Sequence, residues 1–315
     1  MEKEYEITKL LELYDICVEN NNNEDFDMMD TLPPEDERWL MEAIRSGFID
    51  PVEKIKENIR LISENISNRT TDNQLMQCID AIKQLQDITE NLDFAKDFVK
   101  LGGLNLIEDL LMDQSVNIRT ESLTLLGNVN QNNLFCQSQS TNRNIIETLV
   151  VKLSEENDIR LQKKLIYALS CTVRGNSNGF ERFIQTNGFD LMLFLLQTSS
   201  ESSIKCKIAF FIYCLCTESD ISNIGYRRIE FCLDNIISCL INLTSLAALE
   251  AEHLLGSLCS LIKNYPSINF QQKLELTEFL QTQLQNLDHT EAEEIVFYII
   301  EILTSLHNRD LAVST

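Results

Sequence analysis

Apolar residues recur along the middle of the chain with a period of 43 residues. The positions that hold this phase over four copies include Leu126, Leu169, Ile212 and Leu255, and also Ile107, Val150, Leu193 and Ile236. Within each copy the apolar spacing predicts a short helix, a tight corner, a second helix, a polar break and a longer third helix. Such self-similarity is typical of stacked helical repeats, in which each copy buries its apolar faces against its neighbours.

Three helices per copy favour armadillo repeats over two-helix HEAT repeats. The composition agrees, because 44% apolar residues can fill a large core and only 9 Gly and 4 Pro leave few turns for a β-sandwich. We therefore predict an all-α protein: a right-handed superhelical solenoid of armadillo repeats with helical caps at both ends. The predicted boundaries are a flexible acidic segment with a short amphipathic stretch at 1–30, an N-terminal cap at 31–90, four repeats at about 91–133, 134–176, 177–219 and 220–263, and a C-terminal cap at 264–315.

The third helices carry two different stripes. The stripe predicted to face the core holds Ile118, Ser122, Leu125 and Val129, then Leu161, Leu165, Ala168 and Thr172, then Ile204, Ile208, Phe211 and Leu215. A second stripe, about a third of a turn away on the helix, holds Glu121, Thr124, Asn128 and Gln131, then Lys164, Tyr167, Cys171 and Arg174, then Lys207, Phe210, Cys214 and Thr217, then Glu250, His253 and Ser257.

In stacked repeats of this kind the third helices line a concave groove. The second stripe would therefore present Tyr167 and Phe210 at the centre of the groove, flanked by Lys164, Arg174 and Lys207. Aromatic residues beside Lys or Arg are typical anchors of protein interfaces. The alternative is that these aromatic side chains only pack against neighbouring helices.

The pair Gly102-Gly103 could cradle a phosphate or form an elbow between two helices. A phosphate loop needs a preceding strand and a GxxxxGK[ST] or GxGxxG pattern, and the sequence has neither. We predict an elbow, since glycine supplies the left-handed φ that ends a helix abruptly. The pair Asn187-Gly188 is predicted to do the same.

The sequence shows no catalytic constellation, metal site or cofactor site. The three histidines, His253, His289 and His307, are spread over different predicted helices and form no HExxH or HxH pair. Cys214 and Cys216 face different sides of a helix, and Cys216 is in phase with a buried apolar position. We predict a protein that is not an enzyme and that takes no cofactor.

The charge of the chain restricts its partners. Its net charge is −23, which argues against nucleic acid and anionic membrane and favours a partner with a basic surface. Residues 1–42 hold 14 acidic and 3 basic residues. No apolar run reaches the roughly 18 residues of a membrane span, and ten cysteines without a secretory signal suggest reduced thiols. We expect a cytoplasmic monomer that does not bind membranes.

Several stretches together resemble one family, the armadillo-type nucleotide exchange factors of the seventy-kilodalton heat-shock chaperones, also known as the heat-shock-protein-binding protein family. The stretches are "PPEDERWLMEAI" (33–44), "ENLDFAKDFVKLGGL" (90–104), "KKLIYALSCTVRGN" (163–176) and "QTNGFDLMLFLL" (185–196). The resemblance implies a co-chaperone whose concave face clasps one lobe of the ATPase domain of a cytosolic chaperone. The clasped chaperone cannot keep its nucleotide cleft closed, so that ADP leaves and the substrate peptide is released.

The resemblance also implies site residues. It places Ala95 and Lys207 at the edge of the groove, where the family meets its chaperone. Together with the stripe, the expected partner-binding residues are Ala95, Glu121, Asn128, Gln131, Lys164, Tyr167, Arg174, Lys207 and Phe210. The family's N-terminal substrate-release element would correspond to Leu10, Leu11, Leu13 and Tyr14, where this chain lacks the tryptophan of the family pattern.

Two other interpretations share this fold. One is an armadillo scaffold that binds another protein with a basic surface, and it predicts no linkage to nucleotide. The other is the lumenal branch of the same family, against which the absence of a signal peptide argues.

Overall fold

A computed structural model describes residues 50–68, 71–218, 226–242, 249–264, 273–287 and 292–313. The chain divides into two units, residues 1–54 and 55–315, and the first contributes only residues 50–54 to the described part. The predicted acidic segment, with Leu10, Leu11, Leu13 and Tyr14, lies outside the described residues. Every regular element among the described residues is an α-helix, as the fold class predicted.

Fifteen helices are found in the described ranges. They are α1 (Pro51–Asn68), α2 (Asp72–Thr89), α3 (Leu92–Lys100), α4 (Gly103–Leu110), α5 (Val116–Asn130), α6 (Leu134–Asn142), α7 (Ile145–Glu155), α8 (Ile159–Val173), α9 (Ser177–Gln185), α10 (Gly188–Thr198), α11 (Ser202–Glu218), α12 (Tyr226–Ile241), α13 (Leu249–Asn264), α14 (Lys273–Asn286) and α15 (Glu293–Val313). Helices α3–α5, α6–α8 and α9–α11 form three successive three-helix repeats.

The third helices of these repeats, α5, α8 and α11, face the core with the stripe that the period predicted. All twelve residues of that stripe are buried, from Ile118 on α5 to Leu215 on α11. Helix α8 packs against α5 on one side and α11 on the other. The stacked third helices therefore form a continuous layer, and each one leaves its second stripe on a common surface.

The corner between the first and second helices is an elbow, as predicted, and the two glycine-containing corners differ in which residue is left-handed. Gly102 adopts a φ of 90°, whereas at the later corner it is Asn187, with a φ of 58°, that is left-handed. Gly188 lies in the first turn of α10, where an added Cβ would come within 2.2 Å of the Phe183 ring. The second residue of each pair, Gly103 or Gly188, thus allows close packing of a phenylalanine rather than the turn itself.

The junction between one repeat and the next is tied by asparagine side chains. Asn133 caps α6 by accepting a hydrogen bond from the Cys136 amide at 3.4 Å, and it donates to the Leu92 carbonyl at 2.9 Å. Asn133 therefore caps the first helix of the following repeat. Asn176 occupies the equivalent position and caps α9.

Two ion pairs connect the second helix of one repeat with the C-terminal end of the first helix of the next repeat. Arg143 binds Glu108 at 2.5 Å, and Arg182 pairs with Glu147, again 35 residues apart. Arg182 also donates to the Asn144 side chain at 2.9 Å. These pairs fix one repeat against the next, because each joins the second helix of one repeat to the first helix of its successor.

The pattern changes after α11. Helix α12 runs without a break through positions 230–231, which the 43-residue period aligns with the corner at 187–188. The expectation of an elbow in every copy is therefore wrong at this point. The stacking of third helices nevertheless continues, since α13 packs on α11 and then on α15. The 43-residue period extends to Ile302 on α15. Ile302 is buried, as are Val173, Cys216 and Cys259 at the equivalent positions of the earlier helices.

Candidate functional site

A cavity of about 820 Å³ opens on the surface formed by the third helices. It is lined by Gln131, Asn132, Leu134, Gln137, Ile166, Tyr167, Ser170, Cys171, Arg174, Gly175, Cys206, Lys207, Phe210 and His253. Five of the predicted partner-binding residues are in this set: Gln131, Tyr167, Arg174, Lys207 and Phe210. We refer to Lys164, Tyr167, Arg174, Lys207 and Phe210 as the central cluster.

The basic and aromatic side chains of the central cluster contact one another across α8 and α11. The guanidinium of Arg174 lies 5.2 Å from the centre of the Phe210 ring. The ammonium of Lys164 lies 5.8 Å from the centre of the Tyr167 ring. Cations at these distances are attracted by the ring electrons. The contact between Arg174 and Phe210 joins two successive repeats, whereas Lys164 and Tyr167 both lie on α8.

Tyr167 is held mainly by packing against the neighbouring repeat. Its ring lies on Gly127 of α5, where an added Cβ would come within 2.1 Å of a ring carbon. Its hydroxyl donates to the Asn128 side chain at 3.1 Å and lies 3.4 Å from the side-chain oxygen of Gln131. Burial raises the pKa of the Tyr167 phenol, so it remains a protonated donor. Tyr167 thus packs on the neighbouring helix α5, but it is half-buried and also lines the cavity.

Phe210 is different, because 39% of its surface remains exposed. The ring of His253 from α13 tilts against it at 5.2 Å and also stacks on Tyr213 at 6.1 Å. Burial lowers the pKa of His253, although the nearby Glu294 acts in the opposite direction. Phe210 therefore has Arg174 and His253 as supports and one accessible face. Such a supported but accessible ring is typical of an interface anchor.

Two residues of the first helix α6 complete the cavity, and analysis of the third helices alone missed them. The side-chain amide of Gln137 donates to the carbonyls of Cys171 at 2.8 Å and Arg174 at 2.9 Å, which satisfies two carbonyls at the end of α8. Leu134 contributes apolar surface and is 59% exposed. The sequence signal that could have identified Gln137 is a polar residue on a helix that buries its other face.

Three predicted site residues lie elsewhere. Ala95 is fully buried, because α3 is short and turns both Ala95 and Phe98 into the core, so its placement at the edge of the groove is wrong. Glu121 is half-buried beside α2, where it accepts a hydrogen bond from Gln86 at 2.8 Å. Asn128 serves as the acceptor for Tyr167 behind the cavity.

The second stripe is not exposed along its whole length. Cys214 and Ser257 are buried, contrary to the prediction, since the stripe turns towards α13 and α15 as the helices stack. The side chain of Glu250 lies outside the described residues. Lys207 is exposed, whereas Lys164 and Arg174 are half-buried. Among the described side chains of the stripe, the exposed ones are therefore Gln131, Lys207, Phe210 and Thr217.

The chemistry available in the cavity is that of binding. Burial raises the pKa of the Cys171 thiol to about 11, so the nucleophilic thiolate is scarce at neutral pH. Among the described residues no group of three or more His, Cys, Asp or Glu side chains is arranged to hold a metal ion. In the same part of the chain, no helix is long and apolar enough to cross a membrane.

Comparison with known sequences identifies relatives over most of the chain. The SIL1/FES1/HPBP1 C-terminal domain matches residues 94–230. Human Hsp70-binding protein 1 is 27% identical over 293 residues, covering 86% of this chain and 79% of its own length. The Hsp70 nucleotide exchange factor FES1 of Saccharomyces cerevisiae is 24% identical over 270 residues, covering 82% and 88%. Nucleotide exchange factor SIL1 of Rattus norvegicus is 22% identical over 160 residues, covering 51% and 34%.

Comparison with solved structures supports the predicted architecture. A designed armadillo repeat protein in complex with the peptide (KR)4 superposes with a TM-score of 0.59 at 16% identity, covering 79% of this chain and 98% of that protein. The SYS-1/POP-1 complex gives a TM-score of 0.63 at 14% identity, covering 83% of this chain and 50% of that chain. These likenesses confirm an armadillo-type helical fold.

Proposed function

We propose that the chain is a member of the armadillo-type nucleotide exchange factors related to SIL1, FES1 and Hsp70-binding protein 1, and that it exchanges nucleotide on a cytosolic seventy-kilodalton heat-shock chaperone. The observation that carries this proposal is the match to Hsp70-binding protein 1 and FES1 over more than four fifths of the chain. Proteins of this family are exchange factors and not catalysts, as the sequence predicted. The chain would act on the chaperone's ATPase domain as a non-catalytic, monomeric partner.

The surface that we propose for this contact is the central cluster and the cavity around it. Lys207 and the nearby Arg174 supply positive charge, and the accessible face of Phe210 supplies apolar surface. Aromatic and arginine anchors next to a well-packed pocket typically carry most of the binding free energy of an interface. The expected counterpart on the chaperone is an apolar side chain flanked by carboxylates.

Exchange requires only that binding differs between two states of the chaperone. The chain must bind the form with an open nucleotide cleft more tightly than the closed form that holds ADP. Linkage makes the effect reciprocal, so ADP must weaken binding of this chain by the same factor by which the chain weakens binding of ADP. A hundredfold coupling corresponds to about 2.7 kcal/mol, which a few contacts around Phe210 can supply.

The test is the rate of release of fluorescently labelled ADP from a purified cytosolic chaperone in stopped flow. Saturating amounts of this protein should accelerate release, while the protein alone should hydrolyse no ATP. A parallel measurement of binding with and without ADP should show the reciprocal weakening. An unchanged release rate at saturation would contradict the proposal.

The alternative of a general armadillo scaffold is favoured by the net charge of −23, which suits a basic partner. The charges nearest the cavity oppose it, since Arg174 and Lys207 would repel a lysine- or arginine-rich segment placed there. Binding of such a peptide with no effect on ADP release would support the scaffold. Weaker binding of the peptide than of the chaperone would support exchange.

A further inference from the structure

The described lining of the cavity at the central cluster has a net positive charge. Its cations are Arg174 and Lys207, and among its described residues there is no Asp or Glu. Burial raises the pKa of the Cys171 thiol on the cavity wall, and the charges of Arg174 and Lys207 both act to lower it. The positive potential of the two side chains therefore reaches the same part of the wall. In a chain of net charge −23, such a lining is unexpected.

Two carboxylates of neighbouring helices lie near the stripe but outside this lining. Glu121 on α5 accepts a hydrogen bond from Gln86 of α2 at 2.8 Å. Glu294 on α15 acts on the pKa of His253, where the effect of burial is larger. Neither carboxylate is a wall of the cavity, so an anion that enters meets Arg174 and Lys207 first.

Apolar side chains from three helices form another part of the lining. Ile166 of α8 is buried, whereas Leu134 of α6 is 59% exposed and Phe210 of α11 is 39% exposed. Accessible apolar surface on two separate elements therefore opens into one cavity. Its volume of about 820 Å³ is within the range of sites that hold small molecules, and it leaves room for a ligand of one or two rings.

The first repeat shows that the fold does not require this combination of side chains. Its positions equivalent to Arg174, Lys207 and Phe210 hold Gln131, Glu121 and Thr124. The first and second repeats nevertheless stack through their third helices in the same way, since α5 packs on α8 as α8 packs on α11. Stacking alone therefore explains neither the two positive charges nor the accessible ring.

We propose that this cavity binds a small aromatic carboxylate, with its charged group at Lys207 and Arg174 and its ring on the accessible face of Phe210. A guanidinium offers planar donors to a carboxylate, and an ammonium adds a point charge. Aromatic rings attract one another in offset or edge contacts, and Leu134 supplies further apolar surface. One consequence rests on the proposed function: the bound carboxylate would occupy the surface that meets the chaperone and would inhibit exchange.

Direct binding is tested on the full-length protein by isothermal titration calorimetry with 2-naphthoate, 2-naphthylmethanol, 2-naphthylmethylammonium and acetate. The naphthoate should bind saturably to one site with a Kd below about 1 mM. The alcohol lacks the charge, the ammonium reverses it and acetate lacks the ring, so each should bind at least tenfold more weakly. Equal binding of the alcohol and the naphthoate, or a naphthoate Kd above about 1 mM, would overturn the proposal.

The variants introduce the residues that the first repeat holds at the equivalent positions. Arg174→Gln, Lys207→Glu and Phe210→Thr should each weaken binding of 2-naphthoate at least tenfold. Lys83→Glu changes the charge of an exposed lysine on α2 outside the cavity, and this control should bind 2-naphthoate like the unmodified protein. Unchanged affinity in both Lys207→Glu and Phe210→Thr would refute the site. If Arg174→Gln fails to fold, these two variants of exposed side chains decide.

Competition with the chaperone separates this inference from the proposed exchange function. At a concentration equal to its own Kd, 2-naphthoate should raise the apparent Kd for the chaperone about twofold, as mass action requires. If it binds and leaves chaperone binding unchanged, the ligand site stands and the central cluster is not the chaperone contact. If it does not bind while the chain still accelerates ADP release, the ligand site is overturned and exchange stands. The chaperone alone with 2-naphthoate is the control for a direct effect.

Discussion

Reversing the charge of Lys207 is the sharpest test of the surface around the central cluster. Lys207 is exposed on α11, one turn before Phe210, and it lines the cavity. Lys207→Glu should therefore cost little in folding, because changes to exposed residues usually alter the free energy of unfolding by no more than about 0.5 kcal/mol. Its effect should appear in binding, where the side chain meets the partner.

The magnitude follows from the charge and its surroundings. A lysine and a carboxylate 4 Å apart near a protein surface attract by about 4 kcal/mol before desolvation is subtracted. Removing one partner of such a pair at an interface costs about 2 kcal/mol or more, which corresponds to about a thirtyfold rise in the Kd. Phe210→Ala should have a comparable effect through lost burial, since its ring is the accessible anchor of the cluster.

The assay is chaperone binding by surface plasmon resonance, with ADP release measured on the same samples. Lys100→Glu is the matched control, because it changes the net charge by the same two units on α3, outside the cavity. Lys100 is 61% exposed and forms a salt bridge with Asp97 three residues away, at 3.0 Å. Raising the salt concentration should reduce the difference between the Lys207 variant and the unmodified protein, as expected for an exposed charge.

Three outcomes would refute this reasoning. Chaperone binding of Lys207→Glu within twofold of the unmodified protein would show that the partner does not meet this residue. Unfolding of the variant would show that Lys207 is not a surface residue. An equal loss of binding in Lys100→Glu would show that total charge, and not the central cluster, controls the association.

Three further predictions concern the packing that supports the site. Gly127→Ala places a Cβ against the Tyr167 ring and should lower the free energy of unfolding by about 1–3 kcal/mol in urea titrations, and Tyr167→Ala in the same chain should recover part of the loss. Arg182→Ala removes the partner of the partly buried Glu147 and should lower the free energy of unfolding by about 1–2 kcal/mol. If the double variant Glu147→Ala/Arg182→Ala shows the same full loss, the ion pair is not its cause. The folded state lowers the pKa of His253, so the unfolded chain takes up its proton first and stability should fall as the pH drops below about 6.5. His253→Gln should lose less stability than the unmodified protein between pH 7.5 and pH 5.5, and an identical pH dependence would refute this assignment.

The central cluster shows which features of the site the repeat pattern could predict. The 43-residue period placed Lys164, Tyr167, Arg174, Lys207 and Phe210 on one stripe, and the structure gathers them around one surface. The pattern could not tell that Tyr167 rests on Gly127 while Phe210 stays accessible. That difference depends on the distance between neighbouring helices, and the spacing of residues along one helix gives no information about that distance.

The positions of other residues of the site are set by contacts between helices. Gln137 reaches the end of α8 from α6, and Ala95 turns inward because α3 is short and packs on α2 and α4. At the corner between α9 and α10 the left-handed residue is Asn187 and not Gly188. Gly188 instead lies against the Phe183 ring, where a side chain would not fit. Each of these features depends on which side chains meet where two helices pack together.

The sequence alone determined the helical class, the length of the repeat and the inward face of each third helix, because repetition of a 3.6-residue phase over several copies leaves one consistent solution. The tertiary structure decided where helices end and which stripe residues stay exposed. Those features arise where two repeats meet, and the free energy of such a junction depends on side chains about 35–43 positions apart. Local spacing along the chain carries no information about them until the repeats are stacked.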